Sequence, residues 1–339
     1  MRVAIIGIGK MGLLHAGILN ALDGVELCAM SDTSKYLLGI VKNLKPIPVH
    51  DDYLKMLDRE KPDAAVIATP VKLHVPMMRE CAKRGIHFLV EKPLSLNAPE
   101  AEPLIHEVAD KKLVTMAGYM LRYAETFRKA KQVIASGALG RIQSVQGSSY
   151  VGQLFKPGKG WRYSRAESGG GVVIGQATHL LDLMHWYFGD PVRVSATCQH
   201  LYSEDVEDAA HGQLEFAHGV SGWFDCSWSR RHHRLLEIEV RVQAENGDLM
   251  VNDDSLRLHL EQPASGHAAG WTHWKKPDLF EGVPIDVGGP QYTRQDEAFA
   301  RAVLDGGSVE TDLAAAWRVQ KTVDAIYHSA DRRGEPVTP

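Results

Sequence analysis

Val3-Ala4-Ile5-Ile6-Gly7-Ile8-Gly9-Lys10-Met11-Gly12 decides the fold of this chain. Four successive apolar residues without polar alternation describe a strand covered on both faces, and the Gly-x-Gly-x-x-Gly that follows opens a helical pattern. That context marks a dinucleotide-binding turn. Gly7 permits the tight turn, Gly9 lets the backbone approach a pyrophosphate, and Gly12 lets helix and strand pack closely, with Lys10 and Met11 in the helical first turn on which phosphates rest. Asp32 lies twenty residues beyond Gly12, at the end of the next apolar run, where a carboxylate accepts hydrogen bonds from ribose hydroxyls. A carboxylate there repels a 2′-phosphate, so NAD is expected over NADP; Lys35 is the one nearby cation that works against this preference. The plainer alternative is a glycine turn beside a solvated aspartate.

Outward from this turn, apolar runs at Val25 to Met30, Ala64 to Ala68, His87 to Val90 and Val114 to Ala117 alternate with amphipathic helical stretches, the pattern of a doubly wound parallel sheet. The texture changes from about residue 141. Strand candidates Val192 to His200, Ala210 to Phe216, Val220 to Ser227, Leu235 to Val242 and Ser255 to Leu260 follow one another through turns such as His218-Gly219 and Asn246-Gly247, which predicts an open, mainly antiparallel sheet. Two Gly-, Pro- and aromatic-rich loops, Val151 to Gly171 and Glu261 to Pro290, interrupt it, and helices over Gln291 to Leu304 and Asp312 to Asp331 follow. The expected organisation is α/β, with a Rossmann dinucleotide-binding domain over 1-121 and a substrate-binding and oligomerisation domain over 122-339.

A length of 339 residues suits two domains, and 44% hydrophobic with 24% charged residues is the composition of an ordinary globular protein rather than a disordered or fibrous one. Thirty-eight basic against 42 acidic side chains, a net charge of −4 without blocks, leave no footprint for a nucleic acid. Cys28, Cys81, Cys198 and Cys226 lie far apart with no CxxC pair, as expected of reduced thiols in a cytoplasmic protein. No apolar run is long enough for a membrane span or a secretory leader. His267 and His273 stand alone in their loop, and no spacing resembles a metal site, so no metal is expected.

Glu91-Lys92-Pro93 follows the strand candidate His87 to Val90, at the carboxyl edge where open α/β sheets bind ligands. A half-desolvated lysine there has a lowered pKa and can hydrogen-bond a substrate oxygen, although a lysine after a strand is more often merely solvated. The wider set of motifs is more specific. It comprises Ala68-Thr69-Pro70 with His74, Gly85 to Pro93, Ser136 to Gly140, Trp161-Arg162, Gly169-Gly170-Gly171, His179-Leu180-Leu181-Asp182, Val206-Glu207-Asp208 and Ser227-Trp228-Ser229. In order and spacing these make the chain resemble the glucose–fructose oxidoreductase, inositol dehydrogenase and MocA family over nearly its whole length. The resemblance implies a Rossmann domain, a second domain with an open sheet, a carbohydrate substrate bound between them, and a homodimer or homotetramer built on the sheet's exposed face. It implies Lys92 as catalytic lysine with a cis Lys92-Pro93 bond, His179 as acid/base, and Thr69, Pro70, His74 and Glu91 among the cofactor-binding residues.

Arg122, Trp161, Arg162 and Tyr163 fall in segments that such proteins fold over substrate; an interdomain salt bridge is the alternative for the arginines. Asp182, one turn beyond His179, is placed to bind a substrate hydroxyl, orient the imidazole, or pair with a structural cation. The run Arg230-Arg231-His232-His233-Arg234 reads as a solvated turn or a contact to a nucleotide-sugar phosphate. One position departs from the family pattern: Gly175 stands four residues before His179, where relatives commonly carry an aspartate. The expected activity is NAD-dependent hydride transfer at a secondary alcohol or ketone of a sugar, cyclitol or nucleotide sugar. The rivals are a redox-neutral glycosidase-like enzyme that uses NAD transiently and a non-catalytic dinucleotide-binding regulator.

Overall fold

A computed structural model describes residues 1–44 and 46–339, which divide into two compact units. In the first, β1 (Arg2–Ile6), β2 (Glu26–Ser31), β3 (Val49–His50), β4 (Ala64–Ile67), β5 (His87–Val90) and β6 (Thr115–Ala117) form one parallel sheet in the order β3-β2-β1-β4-β5-β6. Val3, Ala4 and Ile5 of β1 and all of β4 are fully buried, as unbroken apolar runs require when helices cover both faces. The strand order reverses at β1 and β4, so the chain leaves those two strands in opposite lateral directions and opens a crevice beyond their carboxyl ends. Of these strands only the two-residue β3 was unexpected, being too short for any period to register.

The second unit carries β7 (Ile142–Tyr150), β8 (Pro191–Gln199), β9 (Ala209–Phe216), β10 (Ser221–Ser227), β11 (Glu237–Ala244), β12 (Gly247–Asn252), β13 (Ser255–Leu260) and β14 (Gly270–Lys275) in the order β14-β13-β12-β11-β7-β10-β9-β8. All neighbours are antiparallel except β7 with β10, because β7 enters the middle of the sheet ahead of its partners. The helices Glu125–Ala135 and Thr178–Phe188 pack on one face. Gly147 is small of necessity: a Cβ there would lie 2.7 Å from Leu180 Cδ1.

The two compact units divide the chain differently from the expected two segments. The chain changes unit at Met120/Leu121, but Gly282–Trp317, with the helix Pro290–Asp305, belongs to the first unit, and only Arg318–Pro339 returns to the second. The loop expected over Glu261 to Pro290 also holds β14 and a short helix, Lys276–Leu279. All four cysteines are free thiols, and among the described residues no helix is long and apolar enough to cross a membrane.

Candidate active site

In a parallel sheet every strand delivers its carboxyl end to one edge, and here that edge collects Gly7 after β1, Asp32 after β2, Thr69-Pro70 after β4 and Lys92 after β5. Gly7 adopts φ +96°, and a Cβ on it would sit 2.7 Å from Ala68 O; a Cβ on Gly12 would collide with Gly7 O at 1.9 Å. Gly9 differs, since an added Cβ would meet nothing within 4 Å. Gly9 and Lys10 are exposed, Met11 is half-buried, and the helix Lys10–Leu19 begins with no side-chain cap and no acidic residue in its first turn. Uncapped N–H groups beside open space are what a pyrophosphate requires. Asp32 Oδ2 accepts from Ile8 N at 2.7 Å and Oδ1 from Ser34 N at 2.8 Å, which fixes the carboxylate at the end of β2 with lone pairs to spare for ribose hydroxyls. These residues therefore fit a dinucleotide.

Two of the residues expected among the cofactor-binding set, His74 and Glu91, have buried side chains with partners in the fold. His74 is buried, its Nδ1 2.9 Å from Pro93 O and its Nε2 2.9 Å from Thr69 O, so it straps the turn after β4 to the turn after β5. Burial lowers its pKa against the pull of those two carbonyls. Glu91 is also buried and occupied: Oε1 lies 3.1 Å from His15 Nε2, and Oε2 accepts the Lys92 backbone N–H at 3.2 Å. His15 Nδ1 in turn lies 2.8 Å from Asp296 Oδ2. Burial alone would push the His15 pKa down, but Asp296 and then Glu91 outweigh it and hold it up at about 10. Burial would raise the Glu91 carboxyl, and His15 and Lys92 hold it below the usual range. Lys92 is half-buried and its bond to Pro93 is cis.

In the second unit, His179 is buried at the second position of the helix Thr178–Phe188, directly after a π-helical turn, Val173–Ala177. Such turns often mark functional sites. The Gly169-Gly170-Gly171 turn before it is built around Glu207, whose Oε2 accepts from Gly171 N at 2.8 Å and Oε1 from Val173 N at 2.9 Å. Tyr327 donates to Glu207 Oε1 at 2.9 Å, and a Cβ on Gly170 or Gly171 would reach Tyr327 Oη or Glu207 O at 2.0 Å. Asp208 accepts the backbone N–H groups of Leu201, Tyr202 and Ser203 and the Trp228 indole N–H. Glu207 is thus scaffolding for the segment that carries His179, and Asp208 for the turn 201–203 and the Trp228 ring. Gly175 is not sterically required, since a Cβ there would only touch the Trp228 ring at 3.7 Å.

Arg122 and Asp182, candidates for substrate contact, form a buried bidentate pair with each other, Nη2 to Oδ1 at 2.6 Å and Nε to Oδ2 at 2.9 Å, which is the structural-cation alternative for Asp182. Both lie within the second unit, so the pair does not bridge domains. Trp161 remains exposed with the Arg162 guanidinium 5.2 Å above its ring, and Tyr163 packs edge-on against Trp228 at 5.6 Å. Arg230 and Arg231 each lie 4.7 Å over a ring, Tyr150 and Phe155, so the basic run is anchored on aromatics rather than simply solvated. Among the described residues no group of three or more His, Cys, Asp or Glu side chains is arranged to hold a metal. Sequence reasoning missed His15, Asp296 and Tyr327; a histidine among the apolar residues of a helix reads as packing, and Asp296 is 281 residues from its partner.

Residues 1–119 match an oxidoreductase family with an NAD-binding Rossmann fold, and residues 127–250 match the Gfo/Idh/MocA C-terminal domain. The chain is 27% identical over 334 residues to D-xylose 1-dehydrogenase (NADP(+)) 2 of Haloferax volcanii, covering 95% of this chain and 97% of that protein. It is 26% identical over 315 residues to levoglucosan dehydrogenase of Pseudarthrobacter phenanthrenivorans, covering 82% and 80%. A solved structure of levoglucosan dehydrogenase in complex with NADH aligns with a TM-score of 0.88 at 23% identity, covering 100% of this chain and 98% of that one, a likeness of fold.

Proposed function

Because the chain belongs to the Gfo/Idh/MocA family of NAD(P)-dependent oxidoreductases, we propose that it transfers hydride between NAD and a secondary alcohol or ketone carbon of a sugar or cyclitol, nucleotide-linked sugars included. One observation carries this most directly: Lys92 stands on the same sheet edge as the exposed, uncapped helix start at Gly9-Lys10. The backbone of Gly9 to Met11 would hold the pyrophosphate, Asp32 the ribose, and Thr69-Pro70 would border the nicotinamide; the Asp32 charge favours NAD over NADP. When bound, the nicotinamide supplies the hydride acceptor or donor. By their places in the family motifs, the Lys92 ammonium would stabilise a developing alkoxide, and the His179 imidazole would take the hydroxyl proton in oxidation and return it in reduction. Trp161 offers an aromatic face and Arg162 a cation suited to a carboxylate or phosphate on the substrate.

The test is a screen of sugars, cyclitols and nucleotide sugars for NADH formation, repeated with Lys92→Ala. On a confirmed substrate Lys92→Ala should lower turnover by about a hundredfold, the scale of a lost acid/base or alkoxide donor. Unchanged turnover would place the chemistry elsewhere. Sugar release without NADH would point to a redox-neutral glycosidase, and NAD binding without any turnover to a regulator.

A further inference from the structure

The first unit contains an ionic triad that hydride transfer does not itself require. His15 has no exposed side-chain surface, Asp296 has none, and Glu91 has 10%, yet the imidazole lies within 3.1 Å of both carboxylates. These groups come from three elements: the helix Lys10–Leu19, the turn after β5, and the helix Pro290–Asp305, which returns to the first unit from far along the chain. Buried charges are costly to desolvate, and apolar side chains of similar volume would hold the elements together as well or better. What apolar side chains cannot do is keep an anion fixed under the Lys92 peptide. Glu91 is held there from every side: Oε1 by His15, Oε2 by the Lys92 N–H, and its carboxyl by Gly118, where a Cβ would intrude to 3.2 Å.

We propose that His15, charged and clamped between Asp296 and Glu91, is a positioning residue for Lys92. It keeps Glu91 ionised and oriented, and Glu91 in turn sets the backbone and the local charge at the lysine. The inference rests on the proposed role of Lys92 in the reaction. The charged or titratable groups that act on the triad from the surrounding elements are Lys92, His74 and Tyr292. Two carboxylates and one imidazolium leave one net negative charge. Removing the imidazolium leaves two adjacent anions, and Glu91 relieves the repulsion by taking a proton, which withdraws the negative charge beside Lys92 and makes its ammonium easier to deprotonate.

The experiment has two arms. In the first, the unmodified protein is labelled with 15N-histidine and titrated by NMR without cofactor, with His15→Gln used for assignment. His15 should keep both ring N–H protons up to about pH 9, whereas titration near the ordinary imidazole value overturns the proposal. In the second arm, kcat is measured against pH on a confirmed substrate. His15→Gln should move the alkaline limb down by about one pH unit, and His15→Gln/Asp296→Asn, which removes the competing anion so that Glu91 stays ionised beside Lys92, should move it back. Glu91→Gln, which keeps the shape and removes the charge, should shift the limb like His15→Gln and serves if that variant does not fold. A merely structural staple would lower thermal stability and leave the limb in place. Lys92→Met separates the two levels. If it leaves turnover intact, the role of Lys92 fails and this inference with it; if it abolishes turnover while the limb stays put in His15→Gln and Glu91→Gln, this inference alone fails.

Discussion

At the scale of single residues, the three glycines of the opening turn have different physical duties, which substitution can separate. A methyl on Gly12 would be driven to 1.9 Å from Gly7 O, so Gly12→Ala should lower the melting temperature of the cofactor-free protein. Gly9 has ordinary negative φ (−72°) and open space around its missing Cβ, so Gly9→Ala should fold normally. It should still weaken NAD by about tenfold, or about 1.4 kcal/mol, by intruding where the pyrophosphate approaches. Calorimetric titration and thermal melts of both variants check this, and equal losses of stability would show that Gly9 is structural too. The Gly-x-Gly-x-x-Gly spacing was legible because each glycine answers a local constraint. His15 was not, because its partners are brought to it by tertiary structure. The pH dependence of its contribution follows from its direction of shift. With a folded pKa of about 10 against 6.5 ordinarily, stabilisation is complete below about pH 6.5 and is lost as pH rises toward 10. Urea unfolding from pH 6 to pH 10 should show that loss, and His15→Gln should flatten it.

At the scale of elements, legibility followed periodicity. β1, β4 and β5 are unbroken apolar runs and could be read directly, while β7 is Ile-Gln-Ser-Val-Gln-Gly-Ser-Ser-Tyr, whose inward Gly147 and Ser149 are small enough to admit the helix Thr178–Phe188 and therefore carry no hydrophobic signal. β12 and β14 were hidden for related reasons, the first lying directly after a two-residue turn and the second alternating in burial at the edge of the sheet inside a loop-like composition. The helix that presents His179 was legible from its motif, but the device that holds its approach was not. Glu207 satisfies two backbone N–H groups of the Gly169-to-Val173 turn from 34 or more residues away, and burial raises its pKa against their pull. Glu207→Ala orphans both donors, and at about 1–3 kcal/mol for each buried unsatisfied group the protein should lose about 3 kcal/mol in denaturant unfolding. Tyr327→Phe, which removes the hydroxyl that donates to Glu207 and accepts a long bond from Ile174 N at 3.3 Å, should lose about 1 kcal/mol. A loss for Glu207→Ala no larger than that for Tyr327→Phe would mean that the turn holds itself.

At the scale of the whole molecule, the eight-stranded sheet has helices on one face, and on the other a band of side chains crosses its central strands. Trp223, 44% exposed, stands in register with Gln146 on one side and Gln213 on the other, and Asp225 with Ser148 and His211. Arg241 and Glu239 continue the band on β11, opposite Gln146 and Ser148, and together these residues line a recess of about 690 Å³. An open sheet face with an exposed tryptophan suits an isologous two-fold contact, its charges partly paired already, since Arg241 Nε donates to Glu239 Oε1 at 2.6 Å on the same strand. Interface energy concentrates in a few central aromatic and arginine side chains, so Trp223 is the position where one change should matter most. If the protein assembles through this face, Trp223→Glu should shift it to smaller species in size-exclusion chromatography with light scattering. Both units should keep their fold, since the Trp223 side chain is exposed rather than part of a core. A charge reversal at Arg241 should weaken association by a smaller factor and in a salt-dependent way, because a rim charge is screened whereas a buried ring is not. An unmodified protein that runs as a monomer at micromolar concentration would remove the sheet face as an assembly surface and leave Trp223 as a solvated ring.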